Sequence, residues 1–478
     1  MLRGQLEPLL PHTRTRGGII MASNPSKKNL RFGDCFFMGV GQTIGAGVIT
    51  MTGIAIAKTG SGVFWAYILA AVCIFICKFP SLIMGTTIPR TSASYAYSNL
   101  FSPKFGAFYI GVSTIARVTM AFFGFSFATY FCSLINVNPT VVGVTIITIV
   151  FVMNLFGIKN AAKMQNIMTT ILLVALSTFV IFGLPKVDFA SITRPEVMFP
   201  HGANGIVDAM SLVIFAISGG FTLLEYAGSM DKPQRILPKA IFWSTLVAAF
   251  FFAVVGLVGS GVLPISEVAG KPLTVAAHTV YDGNPLFYNF FIIGGALLAI
   301  MTTMNSCFVL YYSAAIQACV DGWLPHGLAK KNKYGVPHRL CILFWLMGII
   351  PILLNVDGQT LSRLSSGLVL FTMMIPNLTP ILLPKLFPDQ WKASRFYMST
   401  PKLMALTIVS NALMLFFIVK NALGLPKNVL IIILICLAVV LLYILIFGNK
   451  IIEKNNLREK TAEFLRKADE ETRANLEG

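Results

Sequence analysis

Charge is what this sequence has least of. Lys, Arg, Asp and Glu together make up 12% of its 478 residues, about half the share of an average soluble domain. Acidic residues are scarcer still, 19 against 37 basic ones, so no paired catalytic carboxylates stand out. Histidine is rare: His12, His201, His278, His326 and His338 all fall in expected tails or loops. A Ser/His/Asp set, a His-Glu-x-x-His pair and a phosphate-binding glycine loop are all missing, which speaks against a hydrolase, a metalloprotease and a nucleotide-driven pump. The eight cysteines lie mostly in apolar stretches and outline no disulfide framework. Cys73 and Cys77 share a helix face at i, i+4; with no histidine in any span they read as packed free thiols rather than a metal pair. No metal or resident cofactor is expected.

Apolar residues fill the space that charge leaves: they are 56% of the chain, and the mean hydropathy is +0.76. Long apolar runs, among them 63–88, 141–156, 237–262 and 429–447, recur throughout. They predict an all-α membrane protein with about twelve transmembrane helices. We place the spans at 33–57, 62–87, 105–134, 139–158, 162–184, 205–229, 239–263, 286–318, 339–355, 360–386, 401–421 and 428–448.

A net charge of +18 would suggest nucleic acid in a soluble protein, but the distribution points to a lipid bilayer instead. With twelve spans, Lys58, Lys186, Arg194, Lys271, Lys420 and Lys427 face one side, and almost all other Lys and Arg face the side of the two termini. That bias predicts cytoplasmic N- and C-termini in a cell-membrane protein and no nucleic-acid partner. Residues 1–32 read as a cytoplasmic N-terminal tail, of which 1–20 are expected to be disordered or to precede the native start. Residues 33–448 form one transmembrane domain, and 449–478 a charged cytoplasmic tail.

Two spans are interrupted by glycine at corresponding places: Gly41-Gln42-Thr43-Ile44-Gly45-Ala46-Gly47 in the first and Ser218-Gly219-Gly220 in the sixth. Glycine inside a helix costs roughly 0.5–1 kcal/mol relative to alanine, and backbone without partners is tolerated at membrane depth only where it lines a cavity. Matched breaks in two halves point to a transporter's binding site. Five spans per half force opposite orientations, so 33–184 and 205–386 form a 5+5 inverted repeat, with 401–448 as two extra peripheral helices. A broken helix offers N–H groups on one side and carbonyls on the other, the two poles a zwitterion needs. Here Ala46 and Gly47 would donate, and Gly41 to Ile44 would offer carbonyls. Gly41 and Gly45, four apart, would serve equally as a small-residue packing face.

The first break resembles the first-helix signature of the amino acid–polyamine–organocation superfamily. The sixth span and its exit, Phe215 to Phe221 followed by Asp231-Lys232-Pro233-Gln234-Arg235, resemble that family's sixth helix. Pro89-Arg90-Thr91 with Tyr95 and Tyr97, Asn154-Leu155-Phe156-Gly157-Ile158-Lys159 with Gln165, Asn305-Ser306, and Asp321-Gly322-Trp323-Leu324-Pro325 follow in the family's order. The resemblance covers roughly 30–400. It implies a leucine-transporter-like fold and a permease moving a small amino acid or amine by alternating access, ion-coupled or by exchange. Carried over, the substrate-binding residues are Thr43, Gly45, Ala46, Gly47, Phe215, Ser218, Gly219 and Gly220. The amides of Ala46 and Gly47 would hold the carboxylate, and carbonyls of Thr43 and around Phe215 and Ser218 the amine. An amino acid-gated channel or a transporter-like nutrient sensor is the alternative.

The sequence departs from the family at Gly228 and Ser229, where an acidic pair is common, at Gly220, where an aromatic is, and at Leu172, where proton-coupled members often carry lysine. Sodium is therefore one candidate coupling ion, held by oxygens of Gly41, Ile44, Ala299, Thr302 and Thr303; hydroxyls bonded to their own helix are the plainer reading of the two threonines. A proton is the other candidate. Charges inside spans are costly and usually functional or paired. Glu225, Lys78 and Arg117 are thus candidates for gating or charge relay, with Glu225 expected to pair with Lys78 or pass a proton. Oligomeric state is not legible.

Overall fold

A computed structural model describes residues 30–156 and 161–466. The expectations for residues 1–20, for Gly157 and Lys159 and for the end of the C-terminal tail lie outside the described residues.

The chain is helical, and its helix starts follow local chemistry. The first span is two half-helices, α1 (Phe32–Thr43) and α2 (Ala46–Thr59); α3 is Val63–Thr87 and α4 the short Ala93–Phe101. The third span joins α5 (Pro103–Ile115) to α6 (Thr119–Phe131) through a tight turn at Ala116–Val118. Next come α7 (Pro139–Leu155) and α8 (Ala161–Gly183). Ser102 and Asn138, each just before a proline at the first helical position, cap α5 and α7 with their side-chain oxygens. The second half runs α9 (Gly202–Ile217), α10 (Pro233–Gly261), α11 (Leu298–Val320), α12 (His338–Leu353) and α13 (Gly358–Asn377), followed by α14 (Thr400–Leu423) and α15 (Lys427–Lys454). A wider, π-helical segment, Phe291–Leu297, precedes α11 in the same span. Among the described residues nine helices are long and apolar enough to cross a membrane. The first of these holds two passes, Phe32–Thr59 and Val63–Thr87, and the shorter apolar helices α7 and α12 complete the expected twelve.

The contacts carry the inverted repeat. Half-helix α1 packs along α10, the helix after the second broken span, and α9 packs along α3, the helix after the first. In the same crossed sense α2 lies on α9, and α1 lies on the segment Ser218–Glu225 that continues α9. The pair α6–α13 is matched by α11–α8. Exchanging the halves maps each contact onto its partner, as opposed repeats require.

The last two helices lie outside the repeats but differ in role. Helix α15 exposes Leu441, Leu442, Leu445 and Ile446, as a lipid-facing helix does. Helix α14 packs on α13 and α3 and repairs a backbone fault. Pro80 inside α3 has no N–H, so the carbonyl of Ile76 loses its helical donor. The Ser410 hydroxyl of α14 donates to that carbonyl at 2.7 Å. One residue on, Asn377 at the end of α13 inserts its amide into the ladder. Its Nδ2 donates to Cys77 O at 2.8 Å, and its Oδ1 accepts from Ser81 N at 3.0 Å. In hydrocarbon such groups must be met from within the protein. All eight cysteines are free thiols.

Candidate functional site

The first break is the cleanest element of the site. The Ile44 amide still donates to Val40 O at 2.7 Å, but the Gly45 amide turns to Thr43 O at 3.0 Å instead of continuing the ladder to Gly41. Gly45 then starts α2 with no side chain to cap it. The amides of Ala46 and Gly47, first and second in α2, have no intrahelical acceptor, and Gly41 O has lost its donor. The carbonyl end of α1 and the N–H end of α2 are thus separated by two residues, Ile44 and Gly45.

The second break takes a different form. Helix α9 does not unwind at Gly219 and resume as an α-helix. From Ser218 to Glu225 it tightens into a 3₁₀-helix, and a further such turn spans Ala227–Ser229. The carbonyl of Phe215 accepts from the Ser218 hydroxyl at 2.6 Å, and that of Gly219 from Thr222 Oγ1 at 2.7 Å. Of the carbonyls expected to be open here, that of Phe215 thus already accepts a local hydroxyl.

Glycine lets the two breaks cross. A methyl on Gly47 would overlap Ala216 of α9, and one on Gly219 would overlap the backbone of Gln42 and Thr43 in α1. A side chain on Gly45 would collide with Thr303 of α11. Gly220 packs closest to α10: a Cβ there would lie 2.7 Å from Thr245 Oγ1 and 3.0 Å from Ser244 Oγ, with Thr43 Oγ1 of α1 at 3.6 Å. Its smallness serves packing against α10.

Around this crossing lies a cavity of about 170 Å³. Of the residues singled out from sequence it is lined by Thr43, Gly45, Gly47, Phe215, Ser218, Gly219, Thr303, Lys78, Arg117 and Glu225, while Gly41, Ile44, Gly220, Ala299 and Thr302 are not among its lining residues. Phe123 and Phe215, whose rings stack 6.5 Å apart at 28°, line it on the side away from the termini. Beyond them Tyr67 and Tyr130 are completely buried. Tyr130 Oη donates to Ile49 O at 2.7 Å and accepts from Leu273 N at 3.0 Å. Towards the side of the termini the cavity continues past Ser94, Tyr109, Thr372 and Met373.

The three charges do not pair as expected. Glu225 accepts from the Ser94 hydroxyl and, at 3.3 Å, from its amide, and Lys78 Nζ donates to Ser81 Oγ at 3.1 Å. Among the described residues no ion pair joins Lys78 to Glu225; each is held by a hydroxyl on its own side of the cavity. Arg117, in the tight turn of the third span, lays its guanidinium over the Tyr311 ring, 3.6 Å from its centre, and donates to the Ser113 hydroxyl. Thr302 and Thr303 donate to the carbonyl of Ala299 at 2.8 and 3.0 Å. That carbonyl is saturated, but the lone pairs of both hydroxyls stay free. The lining residues Phe123, Ser94 and Tyr311 carry no sequence signal of their own; an apolar span hides which of its faces meets a cavity.

Two glycine-broken spans crossing at a buried, partly polar cavity within a twelve-pass inverted repeat define a multi-pass membrane transport protein. The model of the amino acid permease family matches residues 30–452, and the chain belongs to that family. It is similar to the branched-chain amino acid permease BcaP of Bacillus subtilis (24% identical, covering 76% of this chain and 82% of that one). Similar too are the methylthioribose transporter of the same organism (23%; 80% and 86%) and the cadaverine/lysine antiporter of Escherichia coli K12 (23%; 73% and 82%).

Proposed function

We propose that the protein is a secondary transporter that binds an amino acid or a closely related amine at the crossing of its broken spans and moves it by alternating access. The N-terminus of α2 at Ala46 and Gly47, opposite the interrupted carbonyl end of α1, carries this reading. The two ends offer a carboxylate and an ammonium separate partners a few ångströms apart. The named relatives act on an amino acid, a sugar thioether and a diamine–amino acid pair, so their names support the class and leave the substrate open. Placing the termini in the cytoplasm, on the bias of basic residues, makes this cavity the inward-directed one, with the Phe123–Phe215 stack as its outer barrier. As coupling ion we propose sodium, on the oxygens of Gly41, Ile44, Thr302 and Thr303. Ala299 drops out because its carbonyl already accepts two hydroxyls.

Counterflow into liposomes tests the class. Saturable accumulation of labelled amino acid against preloaded unlabelled amino acid supports a transporter; unsaturable flux supports a channel, and binding without flux supports a sensor. Uptake unchanged when choline replaces sodium rejects the coupling ion.

A further inference from the structure

We propose that the substrate carries an anionic side chain and that Arg117 selects it. The proposal rests on reading the cavity as an amino acid site. It starts from the charges that line that cavity: Lys78, Arg117 and Glu225. A zwitterion whose poles are met by backbone groups at the first break adds no net charge, so two cations and one carboxylate leave the occupied cavity positive. An uncompensated charge at membrane depth is costly, and its remedy is a counter-charge.

Local partners decide which cation wants it. Glu225 is met by Ser94 and Lys78 by Ser81. Arg117 is met by the Ser113 hydroxyl, by Tyr311, whose ring it covers, and by the Phe344 ring 5.6 Å away, none of which carries a negative charge. Its Nε is buried with no hydrogen-bond partner. Among the described residues no carboxylate lies within ion-pair distance of it. Stacking on Tyr311 orients the guanidinium without neutralising it, leaving the flat fork that binds a carboxylate in bidentate fashion. Arg117 and Tyr311 belong to the third and eighth spans, while the backbone poles belong to the first and sixth. A substrate anchored at the breaks therefore extends its side chain towards Arg117.

The test compares ligands that differ only in that charge. The purified full chain in detergent is heated with L-glutamate, L-aspartate, L-glutamine, L-leucine or L-lysine, since a ligand that binds the folded state raises the melting temperature. The acidic amino acids are expected to bind about tenfold or more tighter than glutamine. Arg117→Gln is expected to erase that preference and Arg117→Lys to keep part of it. Glutamine, leucine or lysine binding as tightly as glutamate overturns the proposal and leaves the transporter reading standing. A preference for glutamate that survives in Arg117→Gln removes Arg117 as its source. Should that variant not fold, Arg117→Lys and the wild-type series decide, since a preference undiminished in Arg117→Lys also counts against the bidentate role. Binding of none of the five amino acids overturns the proposal, while counterflow of other amino acids or amines decides the transporter reading separately.

Discussion

Gly47 of α2 lies so close to Ala216 of α9 that a methyl on the glycine would occupy the space of the alanine's own methyl. The glycines of the first break thus do two things: they free amides, and they let the broken spans touch. Gly47→Ala is expected to lower both uptake and melting temperature, since forcing a methyl into a packed contact costs about 1–3 kcal/mol. Adding Ala216→Gly to the same protein should recover much of the loss. Uptake assays and thermal unfolding of the two single variants and the double variant check this; strictly additive losses would mean that the contact is not the cause.

The repair at Pro80 predicts a specific dependence between residues. Ser410→Ala leaves the Ile76 carbonyl bare and should destabilise by about 1–3 kcal/mol. In a Pro80→Ala background the helix supplies its own N–H, and the same change should cost markedly less. Asn377→Leu strands two ladder groups, those of Cys77 and Ser81, and should be worse than Ser410→Ala. Chemical or thermal unfolding in detergent reads all three.

A second charge cluster holds the side opposite the termini. Asp208 at the start of α9 accepts from Arg363 of α13 at 3.3 Å and lies 3.7 Å from Lys420 of α14. Arg363 is almost wholly buried, and its Nε and one terminal nitrogen have no partner. Asp208→Asn removes the carboxylate and should cost about 3–5 kcal/mol, whereas Asp208→Asn with Arg363→Met should cost less than the single change. A double variant less stable than the single one would show that the pair is not what matters.

Acid sensitivity is expected at the head of α13. Burial pushes the Asp357 carboxyl up, but the hydroxyl and amide of Thr360 outweigh it and hold the group below the usual carboxylate range. A carboxyl depressed in the folded state stabilises above its unfolded pKa of about 3.9 and loses that contribution as pH falls through its folded value. Asn caps helices about as well, so Asp357→Asn should shrink the fall in melting temperature on acidification below pH ~4. An unchanged acid limb would exclude Asp357 as a contributor.

The fold was legible because hydropathy fixes spans and glycine marks breaks. The expected spans 62–87 and 401–421 became Val63–Thr87 and Thr400–Leu423. Helix α10 begins about six residues before its expected start, at Pro233: its first turns carry Lys239 and Arg235 and fall outside any apolar window. The form of the second break was hidden, because Leu223 and Leu224 are good helix formers and only tertiary contact reveals the tighter winding. The hydroxyls of Ser218 and Thr222 bond the carbonyls three residues back, which the sequence does not show. Pro80 interrupts the ladder of α3, and nothing in the sequence ties it to Ser410, more than three hundred residues away. Arg117 was visible as a charge in a span; that no carboxylate among the described residues pairs with it became visible only in three dimensions.

The most direct measurement is a structure of the protein with the amino acid that shows the strongest counterflow. The carboxylate of the bound ligand should lie within hydrogen-bonding reach of the Ala46 and Gly47 amides, with its side chain directed towards Arg117. Density for the ligand away from the crossing of the broken spans, with those two amides left without a partner, would contradict the account.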